Sequence, residues 1–207
     1  FQYEDKWYPA TVPGVIHTDL LSNKLIEDPF YGNNELSLQW IEDKDWKYRT
    51  SFTVTQEQLH DEHIELIFEG LDTYAEVNLN GNKIINANNM FRTWKKDIKE
   101  LLKAGKNQLE VIFTSPIKYN QEAYSNYPFK LPSGSETKEP RVGSFTRKAA
   151  YHFGWDWAPR FVTCGIWKPV RILTWNTAKI SSVHCYTESL EDDQAVINTS
   201  ITIKADV

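Results

Sequence analysis

A carboxylate between two indoles is the residue cluster in this sequence that is best suited to chemistry. Trp155, Asp156 and Trp157 follow directly after Gly154. An indole stacks on the apolar C–H face of a pyranose, and a carboxylate accepts hydrogen bonds from two adjacent sugar hydroxyls. The cluster therefore indicates carbohydrate binding. The structural alternative is a tryptophan pair of the core with an aspartate in a turn.

Basic and imidazole side chains lie close to this cluster in the sequence. Arg147, Lys148 and Arg160 are near enough along the chain to hold the Asp156 carboxyl in its ionised form. His152 is predicted either to orient a neighbour within the pocket or to be a packed structural histidine. The predicted substrate-binding residues are therefore Trp155, Asp156 and Trp157, with His152 and Arg160 in supporting roles.

Candidates for metal ligation and thiol chemistry are few. His60 and His63 have the spacing of metal ligands, but their acidic neighbours favour a solvated turn. The other histidines are scattered and give no site with a defined number of ligands. Cys164 and Cys185 either pair or remain free buried thiols, and free thiols are favoured. We therefore predict neither a metal nor a cofactor.

The composition is that of an ordinary globular chain with a high aromatic content. Of the 207 residues, 41% are hydrophobic and 25% are charged, and the net charge of −5 gives no reason to expect nucleic-acid binding. No run approaches the ~18 apolar residues of a membrane-spanning helix. Aromatic residues make up 14% of the chain, which suits both a sandwich core and sugar stacking. No signal peptide is visible, but the sequence begins at Phe1 without a methionine, which leaves open that an exporting segment was removed. The compartment is therefore left unknown, with a periplasmic or secreted location slightly favoured.

Short alternating runs of apolar and polar residues predict an all-β fold. Asn80-Gly81 predicts a tight hairpin turn, because both central positions of such a turn favour positive φ. Helices are predicted only as brief segments at residues 18–23 and 99–103. The predicted strands lie at residues 47–55, 63–69, 74–79, 83–85, 108–114 and 169–175.

Two other stretches shape the predicted organisation. Residues 117–146 are rich in Pro and Gly, and an irregular segment of this length is usually functional or disordered. It would place the following aromatic cluster at a sandwich rim, where loops carry function. Residues 178–186 and 195–205 read as two strands joined by an acidic turn, and two strands cannot form an independent sandwich. We therefore predict one sandwich at residues 1–175, with residues 176–207 as the first strands of a second β domain.

The segment from Arg147 to Trp157 resembles a motif near the end of the N-terminal domain of family 2 β-mannosidases, a group of glycoside hydrolases. Further blocks support the resemblance, which covers roughly residues 7 to 175. They are residues 12–20, 28–35, 40–41, 46–48, 71–77, 80–81, 90–94 and 97–98.

The resemblance implies a galactose-binding-like jelly roll, then the start of an immunoglobulin-like β-sandwich, and then a catalytic (β/α)-barrel. In such proteins the N-terminal domain packs against the barrel and lends its tryptophan–aspartate motif to the terminal-mannose pocket. Asp156 would then accept hydrogen bonds from sugar hydroxyls, and Trp155 or Trp157 would form part of the subsite wall. One departure is Ala158, where the family usually has glycine.

The same resemblance implies that this chain holds no catalytic residue. Retaining glycosidases need two carboxyl groups roughly 5–5.5 Å apart, and family 2 places both on the barrel. The Asn34-Glu35 dipeptide has the order of the family's acid/base motif but lies in the N-terminal block of the resemblance.

The predicted function is that of the N-terminal domain of a retaining, exo-acting β-mannosidase. Its predicted partners are a β-mannoside or oligosaccharide and the catalytic barrel of the same parent chain. The alternatives are an autonomous carbohydrate-binding module, and a domain of a family 2 β-galactosidase or β-glucuronidase.

Overall fold

A computed structural model describes residues 1–134, 136 and 138–206. Within these residues the chain forms eleven β-strands, three short α-helices and several 3₁₀ turns. The strands are β1 (Gln2–Tyr3), β2 (Lys6–Trp7), β3 (Trp46–Val54), β4 (His63–Phe68), β5 (Tyr74–Leu79), β6 (Asn82–Asn88), β7 (Trp94–Asp97), β8 (Gly105–Thr114), β9 (Val170–Trp175), β10 (Ala178–Glu191) and β11 (Gln194–Ala205). The helices are α1 (Ile16–Ser22), α2 (Asn34–Ser37) and α3 (Pro116–Asn126).

Strands β1 to β9 form two antiparallel sheets that enclose one apolar core. The larger sheet has the order β2-β1-β3-β8-β5-β6, and the smaller has the order β7-β4-β9. Phe68 of the smaller sheet and Phe113 of the larger sheet belong to the same buried cluster and are fully inaccessible to solvent. The central strand β8 alternates buried and half-buried residues along its second half, as a strand with one core face does.

The strands predicted from alternation coincide with β3, β4, β5, β6, β8 and β9. The predicted Asn80-Gly81 turn joins β5 to β6, and both residues have positive φ, +52° and +84°. Strands β1, β2 and β7 are only two to four residues long, too short to show a period. The helix predicted at residues 18–23 is α1, and residues 99–101 form a 3₁₀ turn.

The prediction of an irregular segment at residues 117–146 was wrong at its start. Helix α3 occupies residues 116–126, and Ser115 caps it by accepting a hydrogen bond from the Lys118 amide at 3.3 Å. Ser115 at the cap and Pro116 in the first turn are helix-start signals, since proline has no amide hydrogen to leave unpaired there. Few apolar residues follow them, so the helix shows little of the periodicity that would predict it.

A small second core positions the rim segment that carries the tryptophan cluster. It contains Ile117 of α3 together with Val142, Phe153 and Val162, all buried. Phe153 and Val162 stand on either side of residues 154–161. Both ends of that segment are therefore fixed by apolar burial.

Strands β10 and β11 form a separate two-stranded sheet with one apolar face. Cross-strand partners share a face, and the pairs Ile180–Ile203 and Val183–Ile201 place four aliphatic side chains together. These side chains are more than half exposed. Irregularities in register near residues 181 and 188 keep this face continuous. The domain boundary near residue 176 and the immunoglobulin-like character of residues 176–207 remain predictions.

The two cysteines are free thiols within the described part of the chain. Cys164 is buried in the main core, as expected for a structural thiol. Cys185 is exposed, so the expectation of two buried thiols was wrong for this residue. The reason is that Cys185 lies on the uncovered hairpin, paired with Thr199.

A histidine joins the hairpin to the sandwich. His63, the first residue of β4, stacks on Trp175 with ring centroids 3.8 Å apart. Its Nδ1 lies 2.9 Å from a carboxylate oxygen of Asp97, and its Nε2 lies 2.5 Å from one of Asp206. The sequence indicated a solvated turn for this residue. Instead the imidazole bridges two carboxylates that come from distant parts of the chain.

This bridge predicts that attachment of the hairpin weakens as the pH rises. Hydrogen bonds to Asp97 and then to Asp206 raise the pKa of His63 above its usual value. A raised pKa means that the stabilisation is complete below the unfolded value of about 6.5 and is lost as the pH passes through the folded value. Hydrogen exchange of the Asp206 amide, corrected for its intrinsic rate, should therefore accelerate above the folded-state pKa of His63.

The control for this prediction is His60, an exposed histidine three residues earlier. His63→Gln should remove the pH-dependent step, because the glutamine amide does not titrate, and His60→Gln should preserve it. An identical pH profile in the native chain and His63→Gln would contradict the prediction.

Candidate functional site

The tryptophan cluster forms a tight turn at the rim of the sandwich. The Trp155 amide donates to the Ala158 carbonyl at 3.1 Å, and the Ala158 amide donates to the Trp155 carbonyl at 3.3 Å. Asp156 and Trp157 occupy the tip of this rim turn, defined as residues 155–158. The two indole centroids are 5.0 Å apart with ring planes at 50°. Trp157 is 75% exposed, so the core alternative does not describe it.

Asp156 is exposed and, among residues 1–134, 136 and 138–206, has no hydrogen-bond or ion-pair partner. The expectation that Arg147, Lys148 or Arg160 holds its carboxyl was therefore wrong. Lys148 pairs with Asp72, and Arg160 pairs with Glu42 and Glu136. The Asp156 oxygens are therefore available as hydrogen-bond acceptors.

Ala158 fits the rim turn without backbone strain. In the described part of the chain, positive φ outside glycine occurs at Glu4, Lys24, Asn80 and Thr177, and Ala158 is not among these residues. The position that needs glycine is Gly154, with φ +99°, directly before the turn. The departure from the family pattern at Ala158 thus leaves the turn in place.

An apolar cavity of about 340 Å³ lies beside the rim turn. His152 contributes to its wall with Tyr151, Ala158 and Phe161. Burial lowers the pKa of His152 to about 4, helped by the Lys148 charge, so its imidazole is neutral near pH 7. Its Nδ1 is buried without a hydrogen-bond partner in the described residues and lies 3.7 Å from an Asp72 oxygen, too far for a hydrogen bond.

His17 also lines this cavity and, like His152, has a lowered pKa. Burial lowers the pKa of His17 to about 4, and the charge of Lys148 contributes to the shift. Its Nδ1, like the Thr163 hydroxyl, has no hydrogen-bond partner in the described part of the chain. The cavity therefore combines apolar walls with neutral imidazoles.

A fully buried ion pair lies behind this wall. The Lys148 ammonium donates to Asp72 and also, at 2.8 Å, to the carbonyl of Thr163. Burial lowers the pKa of Lys148, and the Asp72 charge opposes that shift. The role of Asp72 was not predicted from the sequence. Its local signal is an acidic residue that follows the apolar Leu71 shortly before β5. By donating to its carbonyl, Lys148 fixes the backbone of Thr163, which lines the cavity.

The aromatic side chains around the cavity and turn form an exposed rim. We call Phe30, Tyr31, Tyr151, Trp155 and Trp157 the aromatic rim. Phe30 packs edge-on against Phe161, which continues the rim into the cavity. Large exposed apolar side chains beside a cavity are typical of an interaction or ligand site.

Other kinds of site have less support. The described residues contain no group of three or more His, Cys, Asp or Glu that could hold a metal ion. In the same part of the chain no helix has the length and apolarity to cross a membrane. Glu35 accepts a hydrogen bond from the Arg160 amide at 2.7 Å, which ties it to the rim segment.

The two-sheet fold around one apolar core defines a β-sandwich domain that carries an exposed indole–carboxylate turn at its rim. The chain belongs to the family described as glycosyl hydrolase 2 galactose-binding domain-like, whose model matches residues 1–168. The resemblance and the all-β, galactose-binding-like fold predicted from the sequence are thereby confirmed.

Several β-mannosidases are similar to this chain. Beta-mannosidase B of Aspergillus terreus is 38% identical over 193 residues, which are 92% of this chain and 22% of that protein. Beta-mannosidase of Bos taurus is 40% identical over 178 residues, 84% of this chain and 20% of that protein. The crystal structure of beta-D-mannosidase from Dictyoglomus thermophilum matches with a TM-score of 0.90 and 46% identity, covering 98% of this chain and 24% of that one. The chain thus spans about a quarter or less of the proteins that it matches.

Proposed function

We propose that this chain is the N-terminal domain of a retaining, exo-acting β-mannosidase and supplies part of the terminal-mannose pocket of a catalytic barrel absent from this chain. The observation that carries the proposal is the free Asp156 carboxylate at the tip of the rim turn, between two exposed indoles. The β-mannosidases among its relatives support the choice of sugar.

In this role Asp156 accepts hydrogen bonds from two hydroxyls of the terminal sugar. Trp155 or Trp157 stacks against the ring and forms the wall of the subsite. His152 lines the adjoining cavity, and Arg160 supports the segment from behind. The catalytic barrel of the parent is the proposed partner of the aromatic rim, because covering that rim would remove exposed apolar surface from water.

The buried acids of this chain are poorly placed to act as a glycosidase pair. Glu42 and Glu136 both contact Arg160, and each carboxylate is almost fully buried and engaged in ion pairs. Retaining hydrolysis needs one nucleophilic carboxylate and one acid/base carboxyl open to substrate. Glu35 is committed to the Arg160 amide.

We therefore predict that the purified chain alone does not hydrolyse aryl β-mannosides, whereas the full-length parent does. Aryl β-galactoside and aryl β-glucuronide, assayed side by side, test the two alternative sugars. Glu35→Gln is the control for the isolated chain. Turnover by the isolated chain that disappears in Glu35→Gln would contradict the proposal.

The exposure of Trp157 also supports a second candidate function, that of an autonomous carbohydrate-binding module. The two functions differ in the affinity of the isolated chain. The rim turn is one wall of a pocket, so we expect the mannose dissociation constant of the chain alone to be about millimolar or weaker. Micromolar binding by titration calorimetry would favour the autonomous module.

The division of the chain is also part of this proposal. Residues 1–175 form the sugar-binding sandwich, and residues 176–207 form the first strands of an immunoglobulin-like domain. The exposed aliphatic face of β10 and β11 supports the division, since such a face needs a second layer to cover it.

A further inference from the structure

Arg160 has most of its polar groups engaged, and it stands four residues after Asp156. We propose that Arg160, together with Glu35, Gln39, Glu42 and Glu136, is a positioning site that fixes the place of the Asp156 carboxylate in the sugar pocket. The inference rests on the proposed function of Asp156 and adds the residues that make its geometry reproducible.

The backbone of Arg160 is held from both sides by side chains of an early segment. Its amide donates to Glu35 Oε1 at 2.7 Å, and its carbonyl accepts from Gln39 Nε2 at 3.0 Å. Glu35 belongs to α2, and Gln39 begins the 3₁₀ turn that follows. The end of the rim segment is therefore bonded to residues more than 120 positions away, as the separations of 125 and 121 show.

The Arg160 guanidinium joins the two ends of the rim segment. Its Nε and Nη2 donate to the two oxygens of Glu42 at 2.9 and 3.2 Å, the bidentate arrangement that fixes both distance and plane. Its Nη1 donates to the Phe153 carbonyl at 3.0 Å and lies 3.3 Å from Glu136 Oε1. Phe153 precedes the turn and Arg160 follows it, so one side chain closes the base of the loop.

The two carboxylates are fixed in turn by further donors. Glu136 accepts from the amides of Val142 and Gly143 at 3.2 and 3.0 Å. Lys138 donates to Glu42 at 2.7 Å. Two cations thus face two carboxylates, and a buried charge is tolerated when it is paired and hydrogen-bonded in this way.

The ion pairs of Arg160 contribute more to fixing the position of the rim segment than to the free energy of unfolding. A buried ion pair often contributes little more stability than apolar residues of the same volume, because desolvation offsets the attraction. What a bidentate guanidinium adds is a defined position, and a misplacement of about 1 Å at a catalytic pocket can cost about 100-fold in rate. The position being defined is that of the base of the Asp156 turn.

The decisive experiment is a double-mutant cycle in the full-length parent. Arg160→Lys keeps the charge but loses the planar fork, and we expect kcat/KM for an aryl β-mannoside to fall about 10- to 100-fold. In the Asp156→Ala background the same change should have less than about a twofold effect, because its target is already gone. Equal losses in the two backgrounds would overturn the proposal.

Two further variants serve as a control and as a substitute for Arg160→Lys. Arg171→Lys alters an exposed arginine that pairs with Glu69 at 3.1 Å, and it should leave kcat/KM unchanged. Glu35→Ala removes only the acceptor of the Arg160 amide, so it serves if Arg160→Lys fails to fold. It should lower kcat/KM about 3- to 10-fold, again only while Asp156 is present.

Hydrogen exchange in the isolated chain separates this inference from the function on which it rests. The amides of Trp155 and Ala158 are bonded across the rim turn, and Arg160→Lys should accelerate their exchange. Unchanged exchange would overturn the positioning role. Faster exchange in Arg160→Lys, combined with normal kinetics of Asp156→Ala, would instead contradict the proposed role of the turn in sugar binding.

Discussion

Asp156→Ala in the full-length parent is expected to lower kcat/KM for an aryl β-mannoside by about two to four decades. A carboxylate that accepts two sugar hydroxyls makes charge-assisted hydrogen bonds, about twice as strong as neutral ones. Their loss leaves sugar hydroxyls without partners in a water-poor pocket, at about 1–3 kcal/mol each. If these contacts tighten toward the transition state, the loss appears in kcat as well as KM.

Thermal stability should hardly change in the same variant. Asp156 is exposed and has no partner in the described residues, so its removal alters the free energy of unfolding by less than about 0.5 kcal/mol. Asp192→Ala, an exposed aspartate in the turn between β10 and β11, is the matched control for both measurements. A lowered melting temperature with normal kinetics would show a structural role for Asp156 and contradict the proposed function.

The regular part of the fold was predictable because its signals are local. Alternation located six strands, and Asn80-Gly81 located a hairpin whose turn needs positive φ at both residues. The rim turn was predictable for a similar reason, since its aromatic and acidic residues are contiguous. Helix α3 carries a local signal too, Ser115-Pro116, but the absence of an apolar stripe concealed it.

The partners of the buried charges were not predictable from sequence. Arg160 meets Glu42 across 118 positions, and Lys148 meets Asp72 across 76. Sequence proximity favoured Asp156 as the partner of both cations, but burial decided the outcome. A buried cation needs a buried carboxylate, whereas an exposed carboxylate is solvated by water and needs no cation.

Lys148→Met is expected to destabilise the chain by about 3–5 kcal/mol, the usual cost of breaking a buried ion pair from one side. The Lys148 and Asp72 side chains are 0% and 1% exposed, so water cannot replace the lost ammonium. Methionine fills most of the space of lysine, and the loss should therefore reflect the carboxylate left uncompensated.

Chemical denaturation of three variants tests whether the unpaired Asp72 carboxylate causes the loss of stability. Lys95→Met, at an exposed position of β7, is the control for the substitution itself and should change stability by less than about 0.5 kcal/mol. Asp72→Asn combined with Lys148→Met removes both charges and should recover part of the loss, since no ion then remains buried. If the double variant is no more stable than Lys148→Met, packing rather than the unpaired charge accounts for the effect. The opposite behaviour of Lys148 and Asp156, one essential for stability and one for catalysis, would assign different roles to two residues only eight positions apart.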